Sequence, residues 1–407
     1  MSNPRLVIVD GVRTPFCKAG TELATLGADA LGRIAVDALL TRTGIDPALI
    51  DELIFGCVGQ PMDAANIARV IALRAGIPES VPAMTVHRNC ASGFESFTAA
   101  YERMCAGRGT VFVVGGTESM SNVPMVFHES AARHFAALAK AKTAAAKLSA
   151  LTDFRPADFE PRIGLKMGLT DPVSGLNMGE TAELLAREDG ITRGQQDAFA
   201  LQSHERARAA DARLAAEICP VFLNGHAIER DNGPRGDQSL AVLGGLRPIF
   251  EKYGSVTAGN SSQITDGAAA LLVMTEDRAK ELGFTPLGAL TAYAYTGCDP
   301  ARMGLGPVFA IAKAEQLCGL KVSDADLVEI NEAFAAQVLA VLARTPVPAD
   351  RLNVNGGAIA LGHPVGATGA RLILSSLKEL ERRKQKRALV SLCVSGGQGG
   401  AIWLERI

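Results

Sequence analysis

The chain has 407 residues and is 48% hydrophobic, enough to bury a large core and too long for one ordinary domain, so two domains or two similar halves are expected. Charged residues make up 21% and leave a formal net charge of -2, which excludes the basic excess of a nucleic-acid binder. No apolar run reaches the roughly 18 residues that a bilayer span needs.

In chain order, residues 6–9 read as a buried strand. This run is too short for the apolar stretch of a signal peptide, and a cytoplasmic location is expected. The eight cysteines are then thiols rather than disulfides. The absence of a CxxC or HxxxH pair argues against a metal site. Residues 28–40 read as an amphipathic helix with Leu31, Ile34, Ala35, Ala38 and Leu39 on one face. Residues 53–58 form a second strand, and 64–76 a helix that stops at a glycine. A short strand at 85–89 runs into Cys90 and a helix to about residue 105, and the strand 111–114 ends at Gly115-Gly116.

The C-terminal third repeats this order. Strands are expected at 327–330 and 388–393, with helices at 334–343 and 368–383. Leu53 and Leu327, Cys90 and His363, and Val111 and Ala388 are each about 275 residues apart, as in two homologous halves. The stretch between the halves is too long to be an unstructured connection. Residues 1–120 with 253–280 are therefore read as the N-terminal half, 121–252 as an inserted loop domain, and 281–407 as the C-terminal half.

Four segments place a reactive side chain among small residues. Cys90 lies where a strand meets a helix, and backbone N–H groups and the helix dipole there favour a thiolate; the alternative is a structural thiol. His363 sits in the run 355–369, where glycines allow close backbone approach, and could act as a base or oxyanion donor or simply hold a turn. Cys393 precedes Ser395-Gly396-Gly397, and a thiol can serve as acid or base. Asn331-Glu332 offers an amide and a carboxylate at a strand end, or an ordinary helix start. The matched positions of Cys90 and His363 imply that the two helix starts converge on one site.

In this order the segments resemble the thiolase family over essentially the whole chain. The match runs from Asp10-Gly11-Val12-Arg13-Thr14-Pro15-Phe16 through Asn89-Cys90-Ala91-Ser92-Gly93 and Gly115-Gly116-Thr117-Glu118-Ser119-Met120-Ser121. It continues through Asn177-Met178-Gly179-Glu180, Gly259-Asn260-Ser261-Ser262, Asn331-Glu332-Ala333-Phe334, the His363 run and the Cys393 turn. The resemblance implies an α/β fold of duplicated βαβαβαββ halves in a five-layered αβαβα core. It implies thiolysis of 3-ketoacyl-CoA to acetyl-CoA and a shortened acyl-CoA. Cys90 would carry the acyl group, His363 would be base and oxyanion donor, Cys393 the carbon acid and base, and Asn331 the holder of an oxyanion water. Ser262, Met178, Met303 and Phe334 would contact substrate.

The resemblance also implies coenzyme A as substrate with no resident cofactor or metal, and a homodimer or homotetramer, with a hydratase–dehydrogenase subunit as a further partner. Two positions depart from the family pattern. Ser395 replaces a glycine whose N–H serves an oxyanion hole, and Asn177 replaces a histidine of short-chain acetoacetyl-CoA enzymes. The segment 123–178, with Lys140, Lys142 and Lys147, is similar to degradative thiolases of the trifunctional type, so longer acyl chains are expected. The alternatives are an acetoacetyl-CoA-forming acetyltransferase, a decarboxylating condensing enzyme, which would use two histidines, and a non-catalytic lipid- or CoA-binding relative. Cys17, Cys57, Cys105, Cys219, Cys298 and Cys318 read as buried hydrophobes, and His128, His134, His204 and His226 as surface residues.

Overall fold

The computed structural model describes residues 4–407. The first half contributes strands β1 (Leu6–Arg13), β2 (Glu52–Gly56), β3 (Ala83–Val86), β4 (Val111–Glu118) and β5 (Thr265–Thr275). The second contributes β6 (Gly288–Gly297), β7 (Leu327–Ile330), β8 (Arg387–Val394) and β9 (Gln398–Arg406). Their order is β7-β8-β9-β6-β1-β5-β4-β2-β3. The order reads the same outward in both directions from the β1–β6 contact, which consists of two antiparallel pairs, Val7–Ala289 and Ile8–Gly288. On one side β2 pairs in parallel with β3 and β4; on the other β7 pairs in parallel with β8 and makes one parallel bridge at Val328–Leu352.

Helices fill three layers. Helix α1 (Ala28–Thr43) and α2 (Ile67–Arg74) cover the outer face of the first sheet, and their buried Leu31, Ala35 and Leu39 enter a core with Val7, Leu53 and Val113. Helix α6 (Gly306–Cys318) covers the outer face of the second, around Trp403. Between the sheets lie α3 (Ser92–Cys105) and α8 (Thr368–Arg383), which bury Phe94, Phe97, Leu372, Ile373 and Leu377 against strands of both halves. The five layers αβαβα follow. A helix in the middle layer must be apolar on both sides, and nearly every position of α8 up to Leu380 is buried.

Element boundaries differ from expectation in one informative place. Gly115-Gly116 does not end β4; the strand continues to Glu118. A Cβ on Gly116 would lie 1.9 Å from the carbonyl oxygen of Gly366, so glycine here admits a neighbouring backbone rather than breaking the strand.

The connection between β4 and β5 spans residues 119–264, whereas β8 and β9 are joined by the three residues 395–397. The long connection holds α4 (Met178–Glu188) and α5 (Arg193–Ala209). It is bolted to the core by buried Arg13, which donates to both oxygens of Asp231 (2.7 and 2.8 Å) and to Glu217 (3.3 Å). Glu217 also accepts from Ser375 of α8 at 2.7 Å. The region 133–147 is not one helix but parts of two, Glu129–Lys140 and Ala144–Thr152, with Lys140, Lys142 and Lys147 exposed.

Candidate active site

Cys90 sits in a tight turn ahead of α3. Asn89 takes a left-handed φ of 44°, which asparagine tolerates, and the turn closes through Ala91 N–H to the Arg88 carbonyl (2.9 Å) and Ser92 N–H to the Asn89 carbonyl (3.0 Å). The Ser92 hydroxyl accepts from the Arg88 N–H and donates to the Asn89 carbonyl. The Asn89 amide donates to the Ser395 carbonyl at 3.0 Å, tying this turn to the β8–β9 hairpin. Burial pushes the Cys90 thiol up to about 11, while the backbone N–H groups of Ser395 and of Cys90 itself pull it down. At neutral pH Cys90 is therefore a thiol, and to act as a nucleophile it would need a base.

His363 is the candidate for that base. Its backbone N–H donates to the Gln263 carbonyl at 3.0 Å, and its Nδ1 lies 2.6 Å from the Thr368 hydroxyl. With that hydroxyl's hydrogen on the Pro364 carbonyl (3.0 Å), Nδ1 is the N–H donor. The tautomer leaves Nε2 with a bare lone pair. Nε2 is buried and has no hydrogen-bond partner. Burial first and Arg371 second hold the imidazole down to about 4, so it is neutral and able to take a proton.

Cys393 is fully buried near the end of β8. Burial raises its pKa most, and the neighbouring Cys90 raises it further, which puts the two sulfurs within electrostatic reach. It packs in one apolar cluster with Met178, Met303 and Phe334. The turn after it relies on Gly396 and Gly397 at φ values of 84° and 74°. Ser395 is not among the left-handed residues, so the serine in place of glycine is accommodated at ordinary φ. Asn331 follows β7, its N–H held by the Ser391 carbonyl at 2.9 Å. Both polar atoms of its side chain are buried without a partner. Buried polar groups are nearly always hydrogen-bonded, so orphaned atoms on Asn331 and His363 mark a place built for a ligand or its water.

The two halves meet where α3 and α8 cross. A Cβ on Gly93 would lie 2.7 Å from the Ala370 nitrogen, and one on Gly369 would lie 2.4 Å from the Phe94 nitrogen. Only paired glycines let the backbones touch, and this contact brings the turn bearing Cys90 against the loop bearing His363.

An adjoining cavity of about 740 Å³ is walled by Asn177, Met178, Ser262, Phe250 and Phe334, with Lys18, Lys166 and Arg235 also on its lining. Met178 and Phe334 border the cavity on one side and Cys393 on the other. Met303 shares the apolar cluster with Cys393 but does not line the cavity. Asn177 caps α4, accepting from the Glu180 N–H at 3.0 Å. The wall at Ser262 is fixed by its N–H donating to the Ala333 carbonyl at 2.9 Å.

Several expectations need correction. Cys105 is exposed, and Cys298 and Cys318 are half-buried, whereas Cys17, Cys57 and Cys219 are buried as expected. Cys105 is the last residue of α3, beyond the part enclosed by both sheets. His204 is buried, not a surface residue; its Nδ1 accepts from the Arg235 N–H at 3.2 Å, and burial holds it down to about 4. Thr368 and Gln263, which orient His363, were not singled out in the sequence. Thr368 lay within the His363 run, where a hydroxyl five residues from an imidazole was the available signal.

Comparison with known proteins agrees with this architecture. The family model for the thiolase N-terminal domain matches residues 6–277, and that for the thiolase C-terminal domain matches 284–406. The chain is 40% identical to the 3-ketoacyl-CoA thiolase of Aliivibrio fischeri (strain MJ11), covering 98% of this chain and 95% of that protein. It is 39% identical to the acetyl-CoA acetyltransferase of Allochromatium vinosum, over the full length of both. The crystal structure of human mitochondrial 3-ketoacyl-CoA thiolase in complex with CoA superposes with a TM-score of 0.90 at 37% identity, covering 99% of this chain and 98% of that one.

Proposed function

This chain belongs to the thiolase family, and on that premise we propose that it is an acyltransferase that cleaves 3-ketoacyl-CoA by thiolysis, with Cys90 as nucleophile. The observation that carries the assignment of residues is the Gly93–Gly369 crossing. It ties the turn that carries the half-buried Cys90 thiol to the loop that carries the His363 imidazole.

In the first half-reaction His363 Nε2 takes the Cys90 proton, and the sulfur attacks the 3-keto carbon of the substrate. Charge develops on the keto oxygen, where Asn331 and the protonated His363 are the available donors. The bond between C2 and C3 breaks, leaving an acyl thioester on Cys90 and a carbanion at C2. Cys393 donates its proton to that carbon, releasing acetyl-CoA. In the second half-reaction the thiol of free CoA gives its proton to the Cys393 thiolate and attacks the Cys90 thioester, with the N–H groups of Cys90 and Ser395 facing the thioester oxygen. The shortened acyl-CoA leaves, and the proton held on His363 returns to the Cys90 thiolate, which restores the resting state.

We assign residues 121–252 to substrate cover and CoA binding, because this segment supplies most of the cavity lining. The basic Lys18, Lys166 and Arg235 suit the CoA phosphates, and Ser262 the pantetheine arm. The apolar lining of Ile163, Leu165, Leu169, Ile249 and Phe250 suits acyl chains longer than acetoacetyl. The second reading, acetoacetyl-CoA formation, is favoured by relatives of equal similarity that carry the acetyl-CoA acetyltransferase name. Fatty-acid β-oxidation in the cytoplasm, a homodimer or homotetramer, and a hydratase–dehydrogenase partner complete the reading. No helix among the described residues is long and apolar enough to cross a membrane.

The deciding experiment is thiolysis of 3-ketoacyl-CoA substrates across chain lengths, with wild type and Cys90→Ala. The proposal expects turnover that rises beyond the four-carbon substrate and vanishes in the variant. Activity confined to acetoacetyl-CoA supports the second reading, and no wild-type turnover at any length overturns both.

A further inference from the structure

Glu118, at the end of β4, is fully buried, yet no cation pairs with it among the described residues. Its carboxylate instead accepts three backbone N–H groups: Gly59 at 2.7 Å, Val58 at 3.1 Å and Gly366 at 2.9 Å. The Cys57 thiol approaches the same carboxylate at 3.8 Å. Two of these donors belong to the turn after β2 in the first half. The third belongs to the second half, three residues beyond His363. Burial raises this carboxyl to about 7, while the N–H groups of Gly59, Val58 and Gly366 pull it back towards the anion.

Besides the bond from Gly366 to Glu118, the first half holds the loop from His363 to Thr368 through the Gln263 carbonyl, which accepts the His363 N–H at 3.0 Å. Gly366 is wedged so tightly that an added Cβ would lie 2.5 Å from the Thr117 carbonyl and 2.9 Å from that of Gly56. Its N–H anchors the loop to the Glu118 carboxyl. The remaining anchors fix the imidazole to its own loop, through Thr368, or to the cavity wall, through Gln263.

We propose that Glu118 is a positioning residue for the reaction: by clamping the Gly366 N–H to the turn after β2, it registers the His363 imidazole of one half against the Cys90 thiol of the other. The two oxygens of a carboxyl can accept all three N–H groups, whereas an amide offers only one acceptor oxygen, and a small error in placing a base costs rate rather than substrate affinity. The inference rests on the reading of Cys90 and His363 given above.

The test compares Glu118→Gln, Glu118→Asp and His363→Ala with wild type in 3-ketoacyl-CoA thiolysis. Glutamine keeps the shape but presents an NH₂ to at least one N–H donor. Aspartate keeps the carboxyl group but is too short to reach Gly366 and Gly59 together. Both are expected to lower kcat at least tenfold with KM within twofold, and to slow the pH-dependent alkylation of Cys90 by iodoacetamide. If Glu118→Gln does not fold, Glu118→Asp alone decides. Wild-type kcat in a folded Glu118 variant, or a loss that appears only in KM, overturns the proposal. If His363→Ala itself turns over normally, the fault lies in the underlying site assignment instead.

Discussion

The two halves share a strand order but close it differently, and the difference divides the labour of the site. In the first half, β4 reaches β5 through residues 119–264; in the second, β8 reaches β9 through Ser395-Gly396-Gly397. The long connection makes a cavity wide enough for a bulky thioester. The short one delivers Cys393 and a backbone N–H to the sulfur of Cys90 with almost no conformational freedom. The symmetric parts, α3 and α8, bring the reactive groups together. The asymmetric parts decide what reaches them.

The comparison breaks most severely when a reactive group on the symmetric elements is lost. Cys90→Ala should reduce kcat/KM by on the order of 10⁴-fold or more, and stopped assays with excess enzyme will show whether any residual turnover belongs to this site. Asn331→Ala removes an oxyanion partner and should lower kcat by roughly 10²–10³-fold with KM little changed, read from steady-state thiolysis.

Acid should weaken the fold through His363. Its imidazole is held near 4, below its ordinary value of 6.5, so the neutral form is favoured in the folded chain. The associated stability is present above the unfolded value and is lost as pH falls towards the folded one, by up to about 3 kcal/mol. Denaturant melts of wild type and His363→Gln between these pH values should show a shallower decline in the variant. Overpacking the crossing is a comparable structural insult: Gly93→Ala forces a Cβ against two backbone nitrogens and should cost about 1–3 kcal/mol, measured by chemical denaturation.

The smallest effect sharpens the asymmetric side. Ser395→Pro removes an N–H that stabilises the Cys90 thiolate, while the strand residue before it already suits proline. Iodoacetamide labelling of Cys90 at mildly alkaline pH should slow by about tenfold, equivalent to one pKa step. Unchanged labelling would remove the hairpin from the nucleophile's environment.

Much of this was legible in the sequence because the reactive residues stand among glycines, and glycine marks close approach. Cys90, His363 and Cys393 were each flagged this way, and the near-constant spacing predicted that two of them converge. The burial of His204 was not legible, because a polar helical context looks the same whether or not a distant loop covers it. Glu118 stood inside a quoted motif without a role, since its partners, Val58, Gly59 and Gly366, are remote from it in the chain and donate through backbone atoms that no side-chain pattern reveals. Gly115-Gly116 was misread as a strand end because the carbonyls they make room for, Ala269 on the neighbouring strand and Gly366 in the other half, are remote in the chain.

The central claim is that one thiol carries the acyl group and a second thiol handles the carbon. The most direct measurement is peptide mass spectrometry after brief exposure to acetyl-CoA and acid quench, in wild type and in Cys393→Ser. The account predicts an acetyl group on Cys90 in both proteins and none on Cys393 in the wild type. An acetyl group on Cys393, or an unmodified Cys90 in a protein that turns over, would contradict it.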